Sequence, residues 1–151
     1  MTMKARYALK ALGCLAAHGV EQPLLISEIA EREAIPRKFL ELILNELKQH
    51  GFLRSKKGRG GGYLFAKDPN KITIAAVLRV LEGPIAPLPC LSKTAYRPCE
   101  GCRDEGSCSL RRVLKEAYEA SVQVLERMTV ADLARFASST GRARPVLRYS
   151  I

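Results

Sequence analysis

Residues 36–68, PRKFLELILNELKQHGFLRSKKGRGGGYLFAKD, join an amphipathic segment to a glycine-rich basic turn, and this stretch constrains the fold of the chain most. Pro36 suits the first turn of a helix and Gly51 suits its end. Between them, apolar residues recur at helical spacing and polar residues line the opposite side. The predicted apolar face consists of Phe39, Leu40, Ile43, Leu44 and Leu47, and the polar face of Lys38, Glu41, Asn45 and Lys48.

The neighbouring segments complete a characteristic order of elements. Residues 52–55 and 63–66 fit short strands on either side of the basic tip, a pattern typical of a β-hairpin. Upstream, apolar residues between Tyr7 and Leu15 repeat at helical spacing. A short helix is predicted from Ile26 to about Glu33, and Pro36 ends it because the residue before a proline disfavours the helical conformation. Helix, short helix, turn, amphipathic helix and basic hairpin follow one another as in a winged helix-turn-helix.

The second half of the chain is predicted to hold helices separated by a long loop. Residues 73–82 fit a helix, whereas residues 84–107 show no periodic pattern, and a loop of this length usually has a function or is disordered. From Cys108 a long helix runs to about Met128, with an apolar stripe that suits either a core or a seam against a partner helix. Thr129 and Asp132 form a capping box for a last helix over residues 130–136.

These elements predict a mainly α fold with a small β-hairpin wing. We expect a winged helix-turn-helix over residues 1–70. The connecting helix, the cysteine-containing loop (84–108) and the long helix would occupy residues 71–137, and a flexible basic tail residues 138–151.

The charge of the chain points to a polyanionic partner. It carries 25 Lys and Arg against 15 Asp and Glu, a net charge of +10, which favours nucleic acid or an anionic membrane surface. The N-terminal segment fits a helix better than a signal peptide because Lys10 interrupts its apolar run, and no other stretch is long enough to span a bilayer. We therefore expect a cytoplasmic protein with no membrane partner.

The amphipathic helix has the two faces that a helix in the major groove needs, one buried and one able to reach bases or phosphates. Arg37 and Lys38 would contact phosphate or guanine. Glu41 is repelled by phosphates and suits the amino group of a cytosine, and Asn45 could contact a base or solvent. The hairpin would neutralise phosphates and let the backbone approach a duplex through Arg54, Lys56, Lys57, Arg59, Gly60 and Gly61. The alternative is an amphipathic surface helix beside a solvated turn.

Four of the five cysteines, Cys90, Cys99, Cys102 and Cys108, fall within residues 90–108. In the cytoplasm thiols stay reduced, so such a group indicates metal or redox chemistry. We expect the loop to bring all four within reach of one metal centre, with Cys108 at the start of a helix, whose field favours thiolate. An iron–sulfur cluster, zinc and thiol–disulfide switching all remain open.

Motifs for other chemistry are incomplete. Cys99 and Cys102 have the spacing of a thioredoxin-like dithiol, but no strand–helix–strand pattern surrounds them. The sequence GRGGGYLF lacks the ending of a phosphate-binding loop. His18 and His50 lie on predicted helices with no catalytic partner in view, so we expect no enzyme activity. Cys14, alone on an apolar helix face, is predicted to be a core thiol.

Four features together resemble the IscR and NsrR family of bacterial repressors over about residues 3–137. They are KARYALKALGCLA, ISEIAEREAIPRKFLELILNELKQHGFLRSKKGRGGGYLFAKDP, ITIAAVLRVLEG, and the cysteines before a long helix. The resemblance implies a homodimer in which each winged helix-turn-helix binds operator DNA and the long helix crosses to the partner. It also implies an iron–sulfur cluster (2Fe-2S or 4Fe-4S) in the loop that senses redox state, nitric oxide, or iron and iron–sulfur status.

Position by position, the resemblance assigns roles to particular residues. Glu41 matches the family's base-reading glutamate, Lys57 stands where the wing often has an arginine, and Tyr63 follows the glycine run. The long helix becomes a dimerisation helix, and its predicted interface consists of Leu110, Val113, Leu114, Ala117, Ser121, Val124, Leu125 and Met128.

The cysteines match the family only in part. Cys90, Cys102 and Cys108 fit its ligand triad, and Cys99 is extra. Some relatives take a fourth ligand from a histidine, which is replaced by Arg111 here, or from an acidic residue of the partner's first helix, where this chain has Tyr7. The resemblance therefore implies Cys99 as the fourth ligand. A regulator with thiol–disulfide sensing or zinc, or a dithiol redox enzyme, would be the alternatives.

Overall fold

The computed structural model describes residues 1–139, and residues 140–151, most of the predicted basic tail, lie outside the described residues. The described part contains six α-helices, one antiparallel hairpin and two short 3-10 turns. The helices are α1 (Met3–His18), α2 (Ile26–Glu33), α3 (Arg37–Gln49), α4 (Ile74–Glu82), α5 (Ser109–Arg127) and α6 (Val130–Ser139). The strands are β1 (Leu53–Lys56) and β2 (Gly62–Phe65), and the 3-10 turns are Pro69–Lys71 and Pro89–Leu91.

Capping groups and backbone conformation set several of the limits of the first three helices. The Thr2 hydroxyl accepts a hydrogen bond from the Ala5 amide at 3.2 Å and caps α1. Ala34, at φ 51° in the left-handed region, ends α2, and α3 follows Pro36 directly. The bounds of α2 are those predicted, and each hairpin strand is displaced by one residue from its prediction.

Helix α1 is the centre of the main core. It packs against α2, α3, α4 and α6. Several of its buried side chains are small, since Ala5, Ala8 and Ala11 are fully buried beside Leu12 and Leu15. Small side chains let neighbouring helices pack closely against α1. Because α6 is one of these neighbours, the start and the end of the described chain lie in the same core.

The hairpin is held against the helical domain by a third extended segment. Strand β1 pairs with β2 in antiparallel register from Leu53 with Phe65 to Lys56 with Gly62. On its other edge, β2 exchanges two hydrogen bonds with Leu24, since the Leu24 amide donates to the Tyr63 carbonyl at 3.1 Å and the Tyr63 amide donates to the Leu24 carbonyl at 2.9 Å. The wing is therefore fixed at its base to the turn before α2.

Helices α5 and α6 lead away from the main core and back to it. At their junction the Thr129 amide donates to Asp132 Oδ2 at 2.8 Å, as the predicted capping box requires. The Ile74 amide donates to the Met128 carbonyl at 2.9 Å, which ties this junction to the start of α4. Helix α6 continues to Ser139, three residues beyond its predicted end. Within the part of the chain that the structure describes, no helix is long and apolar enough to cross a membrane.

Candidate nucleic-acid interface and cysteine loop

Helix α3 separates its two faces sharply. Leu40, Ile43, Leu44 and Leu47 are almost fully buried. Arg37, Lys38, Glu41 and Lys48 are exposed, and Asn45 is half-buried. The predicted reading residues therefore lie on one accessible face of a helix whose other face is anchored in the core.

Two residues of α3 differ from the sequence pattern. Phe39, predicted on the apolar face, remains 37% exposed, although its ring contacts the Tyr7 ring edge-on with centroids 5.8 Å apart. Leu42, which belongs to neither predicted face, is 66% exposed. Its position on the polar face was the available signal, since an aliphatic side chain there breaks the helical pattern.

The wing presents a compact basic tip. Lys56, Lys57 and Arg59 are exposed. Arg54 is exposed too, and its Nε donates to the Phe65 carbonyl at 3.2 Å across the hairpin. Gly61 is buried within the turn, where an added Cβ would lie 2.4 Å from the Lys56 carbonyl oxygen. The glycine run thus serves the tight turn, and the predicted phosphate-neutralising side chains surround it.

Tyr63 connects the wing with α3. The side chain is half-buried at the base of β2. Burial raises the pKa of the Tyr63 hydroxyl, and the nearby carboxylate of Glu41 raises it further. The Tyr63 hydroxyl, at the base of the wing, therefore lies within the electrostatic influence of Glu41 on α3.

The cysteine loop brings two of its four thiols into contact. Cys90, buried in the second 3-10 turn, accepts a hydrogen bond from Cys99 with 3.6 Å between the sulfur atoms. Cys102 is exposed in a turn in which its amide donates to the Cys99 carbonyl at 3.1 Å. Cys108 caps α5, and its sulfur accepts from the Arg111 amide at 3.4 Å. Among residues 1–139 no group of three or more His, Cys, Asp or Glu side chains is close enough to hold a metal ion, so the expected meeting of all four thiols is not present.

A polar network closes the loop beside the thiol pair. The Tyr96 hydroxyl donates to Glu105 Oε1 at 2.6 Å, and Glu105 Oε2 lies 3.5 Å from Nε of Arg111. That Nε is buried and makes no hydrogen bond within the described residues. Burial raises the pKa of the Cys90 thiol, the neighbouring Cys99 adds to the effect, and the Arg111 guanidinium opposes it. The loop therefore holds the guanidinium of Arg111, ion-paired with Glu105, beside a pair of soft donors.

The residues of the loop are of the types that bind a metal ion or an iron–sulfur cluster through thiolates. Four cysteines supply the usual number of donors, and the partly exposed guanidinium of Arg111 would offset part of the negative charge that bound thiolates carry. The contact between Cys90 and Cys99 agrees equally well with a reactive thiol pair. The donor set therefore suits iron–sulfur, zinc or thiol chemistry, and the geometry distinguishes Cys90 and Cys99 from the other two.

The loop is attached to α5 through a small second core. Cys90 and Leu91 pack against Tyr118 and Val122, which are buried on one side of the helix. The 3-10 turn is held in place as the Arg97 amide donates to the Pro89 carbonyl at 3.3 Å. The apolar stripe predicted from the sequence does not include Tyr118 and Val122, because it runs along the neighbouring side of the helix.

The predicted interface residues on α5 divide between two environments. Leu114 packs against the small second core, and Leu125 and Met128 pack against the main core. By contrast, Leu110, Val113 and Val124 are 57%, 71% and 48% exposed. Ala117 and Ser121 are exposed on the same side. An apolar strip of α5 is thus left uncovered within the described chain.

Cys14 is buried in the main core, as predicted. It borders a cavity of about 470 Å³ between α1, the end of α2 and α6. Burial raises the pKa of its thiol, with a further contribution from Glu33. This cysteine is separate from the loop.

Comparison with known proteins identifies the family. The profile of the Rrf2 family, described as an iron-dependent transcriptional regulator, matches residues 1–135. An rrf2-like helix-turn-helix transcriptional regulator of Rhodobacter capsulatus is 43% identical over 136 residues, which are 88% of this chain and 91% of the relative.

Two solved structures share the fold. CymR, the global cysteine regulator of B. subtilis, superposes with a TM-score of 0.75 at 30% identity, covering 90% of this chain and 96% of CymR. IscR of T. potens gives a TM-score of 0.71 at 27% identity, covering 99% of this chain and 96% of IscR. The helices, the hairpin and these likenesses agree with the predicted winged helix-turn-helix. The chain therefore belongs to the Rrf2 family, whose members are transcription regulators and not enzymes.

Proposed function

We propose that this protein is a cytoplasmic homodimeric repressor that binds double-stranded operator DNA through α3 and the wing. The observation that carries the proposal is the exposed polar face of α3 beside the basic wing, on a helix whose opposite face is buried. In the major groove, Lys38 would contact phosphate or guanine and Glu41 would accept from a cytosine amino group. The wing cations would neutralise phosphates along the adjacent backbone.

The dimer would form through α5. Its uncovered aliphatic side chains, Leu110, Val113 and Val124, are unusual on the surface of a monomer when they lie along one helix side. Packing two copies of this strip would join two α3 helices in one assembly, and helix-turn-helix dimers bind half-sites about 34–36 Å apart. A change at α5 would then alter DNA affinity, because both reading helices must fit at once.

For the sensor, we propose that Cys90, Cys99, Cys102 and Cys108 hold an iron–sulfur cluster of the 2Fe-2S or 4Fe-4S type. Bound there, the cluster would supply one-electron redox chemistry. Arg111 would offset its negative charge, and Tyr96 and Glu105 would hold the loop closed beside it. Since the loop packs on Tyr118 and Val122 of α5, its state would shift the balance between dimers that bind DNA and dimers that do not.

A thiol switch is a second candidate because Cys90 and Cys99 are already in contact. Hydrogen peroxide could accept two electrons and two protons from the thiols, giving two molecules of water and an S–S bond. The sulfur atoms would move from 3.6 Å to about 2.05 Å apart.

Anaerobic purification separates the candidates. Brown protein with iron and acid-labile sulfide in each chain would support the cluster, and the number of iron and sulfide ions per chain would begin to separate the two cluster types. Colourless protein with about one zinc ion per chain would indicate a structural zinc site instead. Protein that stays colourless and metal-free after attempted reconstitution would leave the thiol pair as the sensor.

A cysteine variant tests the assignment of ligands. Cys99→Ser should lose most of the iron and the visible absorbance. Cys14→Ala is the matched control, since this thiol lies in the main core, and it should keep both. Full retention of the cluster spectrum in Cys99→Ser would contradict the four-cysteine site.

A further inference from the structure

Leu42 stands at the centre of the exposed face of α3. A helix turns about 100° per residue, so the side chains at 38, 45 and 49 lie on the same side as Leu42. The buried side chains at 40, 43, 44 and 47 point the opposite way. Leu42 is 66% exposed, and no hydrophobic cluster among the described residues includes it.

The surroundings of Leu42 indicate what could cover this side chain. It is an isolated aliphatic group between Lys38, one turn earlier, and Asn45, almost one turn later. Lys48 further along α3 and the cations of the wing are exposed as well, so the charge of this part of the molecule complements a polyanion and not a second basic copy of the chain. On the major-groove edges of DNA, the group that an aliphatic side chain contacts favourably is the methyl group of thymine.

We propose that Leu42 reads the methyl group of a thymine in each half-site of the operator. The proposal rests on the DNA-binding function described above. Glu41 precedes Leu42 and would contact a cytosine amino group, so the thymine would lie close to that cytosine. Leu42 then adds specificity through an apolar contact where its neighbours use charges and hydrogen bonds.

The test begins with selection of duplexes from a random library by the wild-type protein. Each thymine of the selected site is then replaced singly by deoxyuridine, which removes only the 5-methyl group. We expect one position per half-site at which this replacement weakens binding about fourfold, or about fifteenfold when both half-sites are changed. In Leu42→Ala, thymine and deoxyuridine at that position should bind equally.

Leu42→Met is the matched control, because it keeps an aliphatic side chain of similar size and should keep most of the discrimination. Alanine favours helix at this exposed position, and a thermal melt of Leu42→Ala should match that of the wild type. Equal sensitivity to deoxyuridine in wild type and Leu42→Ala would overturn the role of Leu42 while leaving DNA binding intact. Failure of the wild type to select any duplex would overturn the proposed function and this inference together.

Discussion

Among single residues, Gly62 shows that the glycine run has a structural role at the base of the wing. The residue has φ 146°, and an added Cβ would lie 2.5 Å from the Leu24 carbonyl oxygen. That carbonyl accepts the Tyr63 amide and fixes the wing to the turn before α2. Gly58, at φ 92°, has open space where its Cβ would lie. The two positions share an unusual backbone conformation and differ in whether a side chain would clash.

Gly62→Ala should therefore destabilise the protein more than Gly58→Ala. Each substitution should cost about 1–3 kcal/mol for its backbone conformation. The clash with Leu24 should cost Gly62→Ala about 1–3 kcal/mol more. Urea unfolding of both variants measures the free energies, and equal losses would show that the contact between the wing and Leu24 is not close.

Asp132 gives a pH dependence with a definite sign. Hydrogen bonds from the Thr129 amide and hydroxyl, with help from Arg135, lower the pKa of this carboxyl from 3.8 to about 2. A lowered pKa in the folded state contributes stability above about pH 4 that is lost as the pH falls toward about 2.

Asp132→Ala should lower the free energy of unfolding at pH 7, and the difference from wild type should shrink between about pH 4 and pH 2. Urea unfolding at a series of pH values measures that difference. A difference that stays constant through this window would mean that the charge of Asp132 contributes nothing at the start of α6.

At the scale of elements, the sequence was most informative where periodicity and turn chemistry coincide. The bounds of α2 could be predicted because the apolar spacing and Pro36 together restrict where this helix lies. The hairpin could be predicted from the glycine-rich turn between its two strands. The division of α5 was not predictable. Its apolar residues lie on two adjacent sides, and only the packed loop shows that Tyr118 and Val122 face inward while Val113 stays exposed.

The cysteine loop was the least predictable element. Residues 84–107 carry no periodic signal, so spacing alone could not show that Cys90 meets Cys99 first. That contact depends on the 3-10 turn Pro89–Leu91 resting on Tyr118, and on hydrogen bonds within the loop. The sequence shows Arg111 only as the residue that replaces a possible histidine ligand. In the structure its guanidinium lies beside the thiol pair.

The wing has a prediction of its own. Replacing Lys56, Lys57 and Arg59 together with alanine should weaken binding to all duplexes and flatten its salt dependence. The slope of log K against log salt should fall by about 2.7, since each phosphate contact contributes about 0.9. Lys115→Ala is the control, because this lysine pairs with Glu119 on α5, 3.9 Å away, and it should leave the slope unchanged. An unchanged slope in the triple variant would remove the wing from the interface.

In the molecule as a whole, α5 connects the cysteine loop with the surface proposed for dimerisation. One side carries the loop through Tyr118 and Val122, and its far end is joined to α4 by the ion pair between Arg79 and Glu126 at 2.6 Å. The other side is the uncovered strip proposed as the dimer seam. A change in the loop could therefore reach the reading helices through one continuous element.

Leu110→Glu together with Val113→Glu should give a folded monomer. Both side chains are more than half exposed, so charges there cost the folded chain little, whereas they would repel across a seam. Sedimentation velocity should show a dimer for wild type and a monomer for the double variant, and the variant should bind an operator with two half-sites more weakly. A double variant that remains dimeric would place the interface elsewhere.

We expect the cysteine loop to control DNA affinity through a bound cluster, and an operator-binding titration measures this coupling. Under anaerobic conditions, the dissociation constant for the selected operator is measured by fluorescence anisotropy with iron-loaded protein and again after a chelator has removed the iron. We predict that the two constants differ by about 5- to 150-fold, the range typical of coupling between two sites. If protein that has carried and then lost iron and sulfide shows identical constants, the cluster does not control DNA binding.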